Sequence, residues 1–330
     1  MKKILLTPIK NEEALLRTFI DHHKRYFDVI IIADQGSSDN SWNIITSYPE
    51  VVPVRNESRH YDEGKRKNLL YEQALKYGAD NLLFLLDADE FLMATNEQWE
   101  DFCQHCSLTE SSNQSYSFDW IFLNPDKVSA VTFKNTIFAH KGNPRKYELS
   151  HKIHLSRFRC NDRPICTGAI SVLHINLLWQ KRQLVKSYYY MALEILQKGG
   201  LCMRQRRTLY NYAYGYLGNP ERLDESIIVQ ANGILESILV SDSYETWHYK
   251  ELCLILSDPS KGYKLRTLPI WGFPWKTEAC LAQYRHIPEL SLSGFLIQLW
   301  LKATRRYPKS LIVRVVENLI DQLPPFREGK

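Results

Sequence analysis

Short apolar runs alternate with amphipathic stretches through the first third of the chain. Ile4-Leu5-Leu6 predicts a buried strand over residues 3–6. Leu15, Leu16, Phe19, Ile20, His23 and Phe27 then recur at helical spacing through residue 27, with Asn11 as N-cap and Glu12 and Glu13 at the positive end of the helix dipole. Val29-Ile30-Ile31-Ile32-Ala33 predicts a second buried strand, rich in β-branched residues, with a helix following from Ser41. Val51-Val52-Pro53-Val54 predicts a third, which Pro53 confines to an edge or a strand terminus. The basic segment from Arg59 to Lys67 leads into a helix holding Leu69, Leu70, Ala74 and Leu75, with Gly78 as its stop. Leu82 to Leu86 predicts a fourth strand that ends in Asp87-Ala88-Asp89-Glu90, and Thr95 with Gln98 forms a capping box for a helix over 96–105. The order β-α-β-α-β-α-β implies a Rossmann-like, mainly parallel sheet with right-handed crossovers.

The pattern then changes. Tyr116, Phe118, Trp120 and Phe122 alternate with other residues, predicting a strand with one aromatic face. Ile153 with Leu155, and Ala169 to Ile175, predict further strands. From Trp179 the chain is helical, with apolar stripes such as Tyr188, Met191, Ala192, Ile195 and Leu196. Residues 289–323 hold two amphipathic helices separated by Arg305-Arg306-Tyr307-Pro308, a junction suited either to anionic lipid or to an ordinary helical core. The expected division is an α/β catalytic domain over 1–178 and a mostly α-helical domain over 179–330.

Composition narrows this little. The chain has 330 residues, 44% hydrophobic and 24% charged, as expected of a globular protein. A net charge of +5 suits an anionic small substrate or a membrane surface as well as nucleic acid. Seven cysteines without disulfide-framework spacing indicate a reducing compartment. Cys103-Gln-His-Cys106 lacks the second pair of a zinc ribbon and reads as structural. Pro8 and Lys10 cut short the initial apolar run, and no segment reaches the ~18 apolar residues of a membrane span. A cytoplasmic protein, peripheral at most to a membrane, is expected.

The chemistry gathers where the predicted strands end. In open α/β sheets ligands bind at the carboxyl ends of the strands. Asp87 and Asp89, one residue apart, suit Mg²⁺ or Mn²⁺, or they are solvated residues capping a strand. Thr7-Pro8-Ile9-Lys10-Asn11-Glu12 follows strand one, Asp34 to Asp39 follows strand two, and Arg59, Lys65, Arg66 and Lys67 precede the third helix. Asp34 can accept a hydrogen bond from a nucleobase, while the cations and a metal can neutralise a diphosphate.

With these motifs in order, the chain resembles a family-2-type glycosyltransferase with the A-type nucleotide-sugar fold. The matching residues are Asn11-Glu12, Ala33-Asp34-Gln35-Gly36-Ser37-Ser38-Asp39, Gly64-Lys65-Arg66-Lys67-Asn68 and Asp87-Ala88-Asp89. Gln35 replaces the usual second Asp. Lys10-Asn11-Glu12, His22-His23, Lys152 and His174 further resemble a subgroup with K-N-E at strand one and a late K…H. The resemblance implies a metal-dependent hexosyltransferase acting on a nucleotide sugar, most commonly UDP-linked, with a glycan or lipid hydroxyl as acceptor, as in polysaccharide biosynthesis. It implies nucleotide contacts from Thr7, Pro8, Asn11, Glu12, Asp34, Lys65, Arg66 and Asp87. It also implies a Mn²⁺ or Mg²⁺ site from Asp87, Asp89 and His174, the last being either a ligand or a packed strand histidine. Glu90 is a structural neighbour. Asp119 and Glu148 are the candidates for the carboxylate base, and Trp120 is a sugar platform or a core residue. A nucleotidyltransferase would favour a Gly-rich, Lys-bearing loop after strand one, which this chain lacks. A scaffold carrying a degenerate transferase domain would not need both Asp87 and Asp89.

Overall fold

The computed structural model describes residues 1–57, 62–109, 113–147, 156–159, 163–198, 201–215, 217–262, 265, 292–305 and 310–322. Along the chain come β1 (Lys3–Ile9), α1 (Glu13–His23), β2 (Val29–Asp34), α2 (Ser41–Ser47), β3 (Val51–Arg55), α3 (Glu63–Leu75), β4 (Leu82–Leu85), β5 (Glu90–Met93), α4 (Asn96–Leu108), β6 (Asn113–Leu123), β7 (Ser129–Gly142) and β8 (Ile165–His174). They are followed by α5 (Gln180–Lys198), α6 (Met203–Ala213), β9 (Glu221–Arg222), α7 (Glu225–Leu235), α8 (Trp247–Ser257), α9 (Pro259–Gly262), α10 (Leu292–Thr304) and α11 (Leu311–Asp321).

The strands form a nine-stranded sheet in the order β3-β2-β1-β4-β7-β6-β8-β5, with β9 on β7. Its first half, β3-β2-β1-β4, is parallel. β2 is buried throughout, as its run of Val and Ile requires. Pro53 lies in the edge strand β3, where a missing N–H costs nothing. Pro8 lies in β1 beyond Leu6, the last residue that pairs with β4, so no ladder bond is lost there either. The strand order reverses between β1 and β4, and the carboxyl ends at that switch point are where such sheets bind ligands. Beyond β4 the sheet is mixed: β7 joins antiparallel, while β6 and β8 are parallel to each other.

Several local features refine the sequence reading. α1 ends at His23, whose carbonyl oxygen accepts from both Tyr26 and Phe27, and Phe27 then packs on Phe84 and Trp99. α3 begins earlier than its apolar stripe, because the Asp62 side chain caps it by accepting from the Lys65 amide. Lys65, Arg66 and Lys67 therefore sit in the first turns of a helix rather than in a loop before it. The Thr95–Gln98 capping box is present, although α4 runs on to Leu108. Phe118 stacks on Phe84 and meets Phe102 edge-on, the aromatic contact that joins β6 to β4 and α4. Cys103 and Cys106 are free thiols on α4, pushed up to about 11 and about 12 by burial. Ile153 and Leu155 lie outside the described residues.

Two compact units result, one of Met1–Leu178 with Asn219–Ser241 and one of Trp179–Gly218 with Asp242–Lys330. Residues 219–241 thus fall with the α/β unit rather than with the helices, since β9 extends the sheet at β7. The second unit packs Val185, Tyr188, Met191 and Ile195 of α5 against Leu252 and Leu256 of α8.

α1 is held against β5 by two histidines that must stay neutral. His23 Nδ1 donates to the Phe19 carbonyl oxygen at 2.8 Å, and its Nε2 accepts from the Leu92 amide at 3.2 Å. His22 Nε2 donates to the Leu92 carbonyl oxygen at 2.8 Å. Burial lowers His22 to about 4, and burial followed by the neighbouring His22 pushes His23 well below its usual value. Below pH ~6.5 the unfolded chain takes up protons that the folded chain refuses, so stability should fall as pH drops from ~6.5 towards ~4. His22 alone accounts for about 3 kcal/mol of that loss. Urea unfolding followed across this range should show a falling midpoint; a constant midpoint would contradict the assignment.

Candidate active site

β1 and β2 run side by side with Ile9 opposite Asp34, so the loops that follow them emerge together. Asn11 adopts φ 54°, a left-handed conformation that Asn tolerates better than most side chains. Its Oδ1 accepts from the amides of Ser38 at 2.6 Å and Asp39 at 3.4 Å. Asn11 is therefore not the N-cap of α1; Glu12 holds that position without a cap bond from its own side chain, and the Glu13 amide donates to Asp39 Oδ2 at 3.1 Å. The backbone of the first loop is bound in return: the Asn11 amide donates to Ser37 Oγ at 2.8 Å, and the Glu12 amide to Ser41 Oγ at 2.9 Å. Glu13 accepts from the Asn40 amide at 2.8 Å. These reciprocal bonds join the two loops into one frame.

Asp34 lies fully buried at its base. Its Oδ1 accepts from the amide and the hydroxyl of Ser37, and its Oδ2 from Arg55 Nη1 at 2.9 Å. The Arg55 guanidinium lies 3.3 Å from the centroid of the Trp42 ring. A base reading Asp34 must share it with Arg55. Thr7 is buried in β1, its Oγ1 without a hydrogen-bond partner, and Pro8 is half-buried.

The turn after β4 carries Asp87, exposed, then Asp89 and Glu90, both buried. Glu90 Oε2 accepts from the Asp87 amide at 2.9 Å, and the Glu90 amide donates to the Asp87 carbonyl oxygen at 3.0 Å. The other oxygen, Oε1, pairs with Arg157 Nη2. Arg157 in turn lies over Phe138 at 4.2 Å and Trp120 at 5.1 Å. Burial pushes the Glu90 carboxyl up, and the Arg157 guanidinium opposes that shift. Glu90 is thus committed within the protein.

β5 pairs with β8 so that Glu90 stands opposite His174. His174 Nε2 lies 3.4 Å from Asp89 Oδ1. The imidazole is buried and stacks on Trp120 with ring planes 10° apart, and neither His174 Nδ1 nor Trp120 Nε1 has a hydrogen-bond partner. Among the described residues no three His, Cys, Asp or Glu side chains form a metal-holding group. Asp89 and His174 do supply a carboxylate and, 3.4 Å from it, an imidazole nitrogen, Nε2. Mg²⁺-like cations take one or two protein ligands when phosphates and water complete the shell, so this pair fits Mn²⁺ or Mg²⁺.

Of the basic residues, Lys65 is exposed while Arg66 and Lys67 are buried. Lys67 Nζ donates to Glu63 at 2.5 Å and to the Ser156 carbonyl oxygen at 3.0 Å, and burial lowers its pKa. The fields of Asp87 and Arg157 both reach this ammonium. Asp119 lies opposite Ser171 of β8, three residues before His174, or about 10 Å along the strand. Its carboxylate is engaged by Lys134 Nζ at 2.5 Å. Glu148 and Lys152 lie outside the described residues. Arg157 and the commitment of Glu90 to it escaped the sequence reading: nothing local marks Arg157, and its segment is held by α3, where Lys67 Nζ donates to the Ser156 carbonyl oxygen and Tyr71 Oη to that of Arg157.

A family model described as glycosyl transferase family 2 matches residues 4–172. No curated protein matches the chain. Among solved structures, it is similar to 4-diphosphocytidyl-2C-methyl-D-erythritol synthase, with a TM-score of 0.28 at 11% identity over 51% of this chain and 88% of that one. Similarity to CTP:phosphocholine cytidylyltransferase from Streptococcus pneumoniae has a TM-score of 0.27 at 14% identity, over 44% of this chain and 69% of that one. For mannose-1-phosphate geranyltransferase from Thermus thermophilus the values are 0.28 and 13%, over 65% and 68%. Scores this low carry no functional argument.

Glu90→Ala leaves the buried Arg157 uncompensated, and loss of one partner of such a pair costs about 3–5 kcal/mol. Glu90→Ala/Arg157→Ala should cost less than the two single changes together. Urea unfolding of all four proteins measures this, and strict additivity would show that the pair does not hold the turn.

Proposed function

The chain belongs to glycosyl transferase family 2, and from that premise we propose that it transfers a sugar from a nucleoside diphosphate sugar, with UDP as the nucleotide, to a hydroxyl of a glycan or lipid acceptor. The observation that carries this reading is Asp89 beside His174 Nε2, at the end of β4 and next to the strand-order switch point. A diphosphate leaving group needs its growing negative charge neutralised as the sugar departs. Mn²⁺ or Mg²⁺ held by Asp89 and His174, with Asp87 as a further ligand, would supply that neutralisation.

The chain's own groups divide the remaining work. Asp34 accepts the base N–H at the foot of the joined loops, where Asn11 and Glu12 keep the first loop in place beside Thr7 and Pro8. Lys65 stands exposed in the first turn of α3, where the helix amides also favour anions, and meets the diphosphate. Arg66 and Lys67 support that charge from behind. An acceptor hydroxyl needs a carboxylate to take its proton. Asp119 can do so once Lys134 releases it, and Glu148 is the second candidate.

The test is hydrolysis of UDP- and GDP-sugars with Mn²⁺ by the wild type and by Asp89→Ala. The expected result is turnover of the UDP-sugar that drops about 100-fold or more in the variant. Equal turnover would remove Asp89 from the site, and no turnover of any nucleotide sugar by the wild type would reject the transferase reading.

A further inference from the structure

α11 turns its acids inward together with Val313 and Ile320, and leaves other large aliphatics outward. Leu311, Ile312, Val315 and Leu319 share one face at helical spacing and are 75, 73, 50 and 58% exposed, whereas Glu317 is 6% exposed. Glu317 Oε1 accepts from Arg207 Nε of α6 at 2.9 Å, and Arg207 Nη2 pairs with the same oxygen and donates to Thr304 Oγ1 of α10 at 2.7 Å. Asp321 Oδ1 accepts from the Met203 amide at 2.8 Å. Met203 and Tyr210 of α6 pack on Ile297 and Leu301 of α10 beneath these bonds. The ion pair, with Val313 and Ile320 on the same side, therefore fixes which way the helix faces. A buried charge pair costs desolvation, and here it leaves four large aliphatics in water.

The charge on this outer surface is of one sign. α10 contains no acid, and both acids of α11 are engaged with α6. Lys302 and Arg314 are the exposed charged residues of the two helices among the described residues. α10 adds Leu296 and Leu299, each about half exposed. Exposed aliphatics with cations only are the composition of an interfacial helix on anionic lipid. A second copy of the chain would bring the same cations to the contact, where like charges oppose association. No described helix is long and apolar enough to cross a membrane, so contact is along the surface.

We propose that α11, with the exposed positions of α10, is a docking surface for an anionic phospholipid bilayer. This stands apart from the transferase reading and is tested without any activity measurement. The full chain is floated with phosphatidylcholine vesicles, with and without phosphatidylglycerol, at low and high salt. The wild type should float only with phosphatidylglycerol and should be released by salt. Ile312→Asp/Val315→Asp should lower the partition at least about tenfold, and Arg314→Glu about fivefold or more. Both variants change exposed positions, so their thermal midpoints should match the wild type; if the aspartates unsettle the helix, Arg314→Glu alone decides. Failure of the wild type to float, or equal partition of wild type and Arg314→Glu, overturns the proposal. So does sedimentation showing a wild-type dimer that Ile312→Asp/Val315→Asp dissociates without changing flotation, which would assign the face to a second copy.

Discussion

The buried carboxylate of Glu90 organises the end of β4. One of its oxygens closes the turn through the Asp87 amide, and the other holds Arg157. Without it, Asp87 and Asp89 would lie on a loop free to sample many conformations. With it, Asp89 stays buried beside His174 while Asp87 stays exposed. The same residue opens β5, so the turn is continuous with a strand that β8 and α1 hold in place. Such a site is positioned before any ligand arrives, which is how binding energy goes to orientation rather than to ordering a loop.

The two loops on the far side of β1 reach rigidity differently. Asn11, Ser37, Ser41 and Glu13 instead exchange side-chain and backbone hydrogen bonds, and the chain of donors ends on Asp34. A buried carboxylate with donors on both oxygens makes a firm base for these loops. It also ties Arg55, stacked on Trp42, to the same frame.

The parallel half of the sheet was legible because buried strands announce themselves: β1, β2 and β4 are short apolar runs, and their ends align once the crossovers are right-handed. The two aspartates of the turn were legible for the same reason. Asn11 misled, because Asn suits a helix cap and a left-handed loop position equally well, and only the neighbouring loop decides between them. The basic run near Lys65 revealed charge but not direction; consecutive helical residues point about 100° apart, so the Asp62 cap determined which cation faced solvent and which was buried. Arg157 was illegible because its partner is distant in sequence and its segment is held in place by side chains of α3, Lys67 and Tyr71. In α11 the period was readable, while the side turned inward was not: periodicity defines a stripe, and the Glu317–Arg207 pair decides that the stripe faces out.

The nucleotide-binding edge proposed here is held by Glu90 on one side and by the Asp34 loops on the other. Calorimetric titration of UDP into the chain, with Mn²⁺ and again with a chelator, tests it most directly. The account predicts one UDP per chain with Mn²⁺, binding at least about tenfold weaker with the chelator, and no such difference in Asp89→Asn. Absence of binding by UDP or GDP under either condition would contradict it.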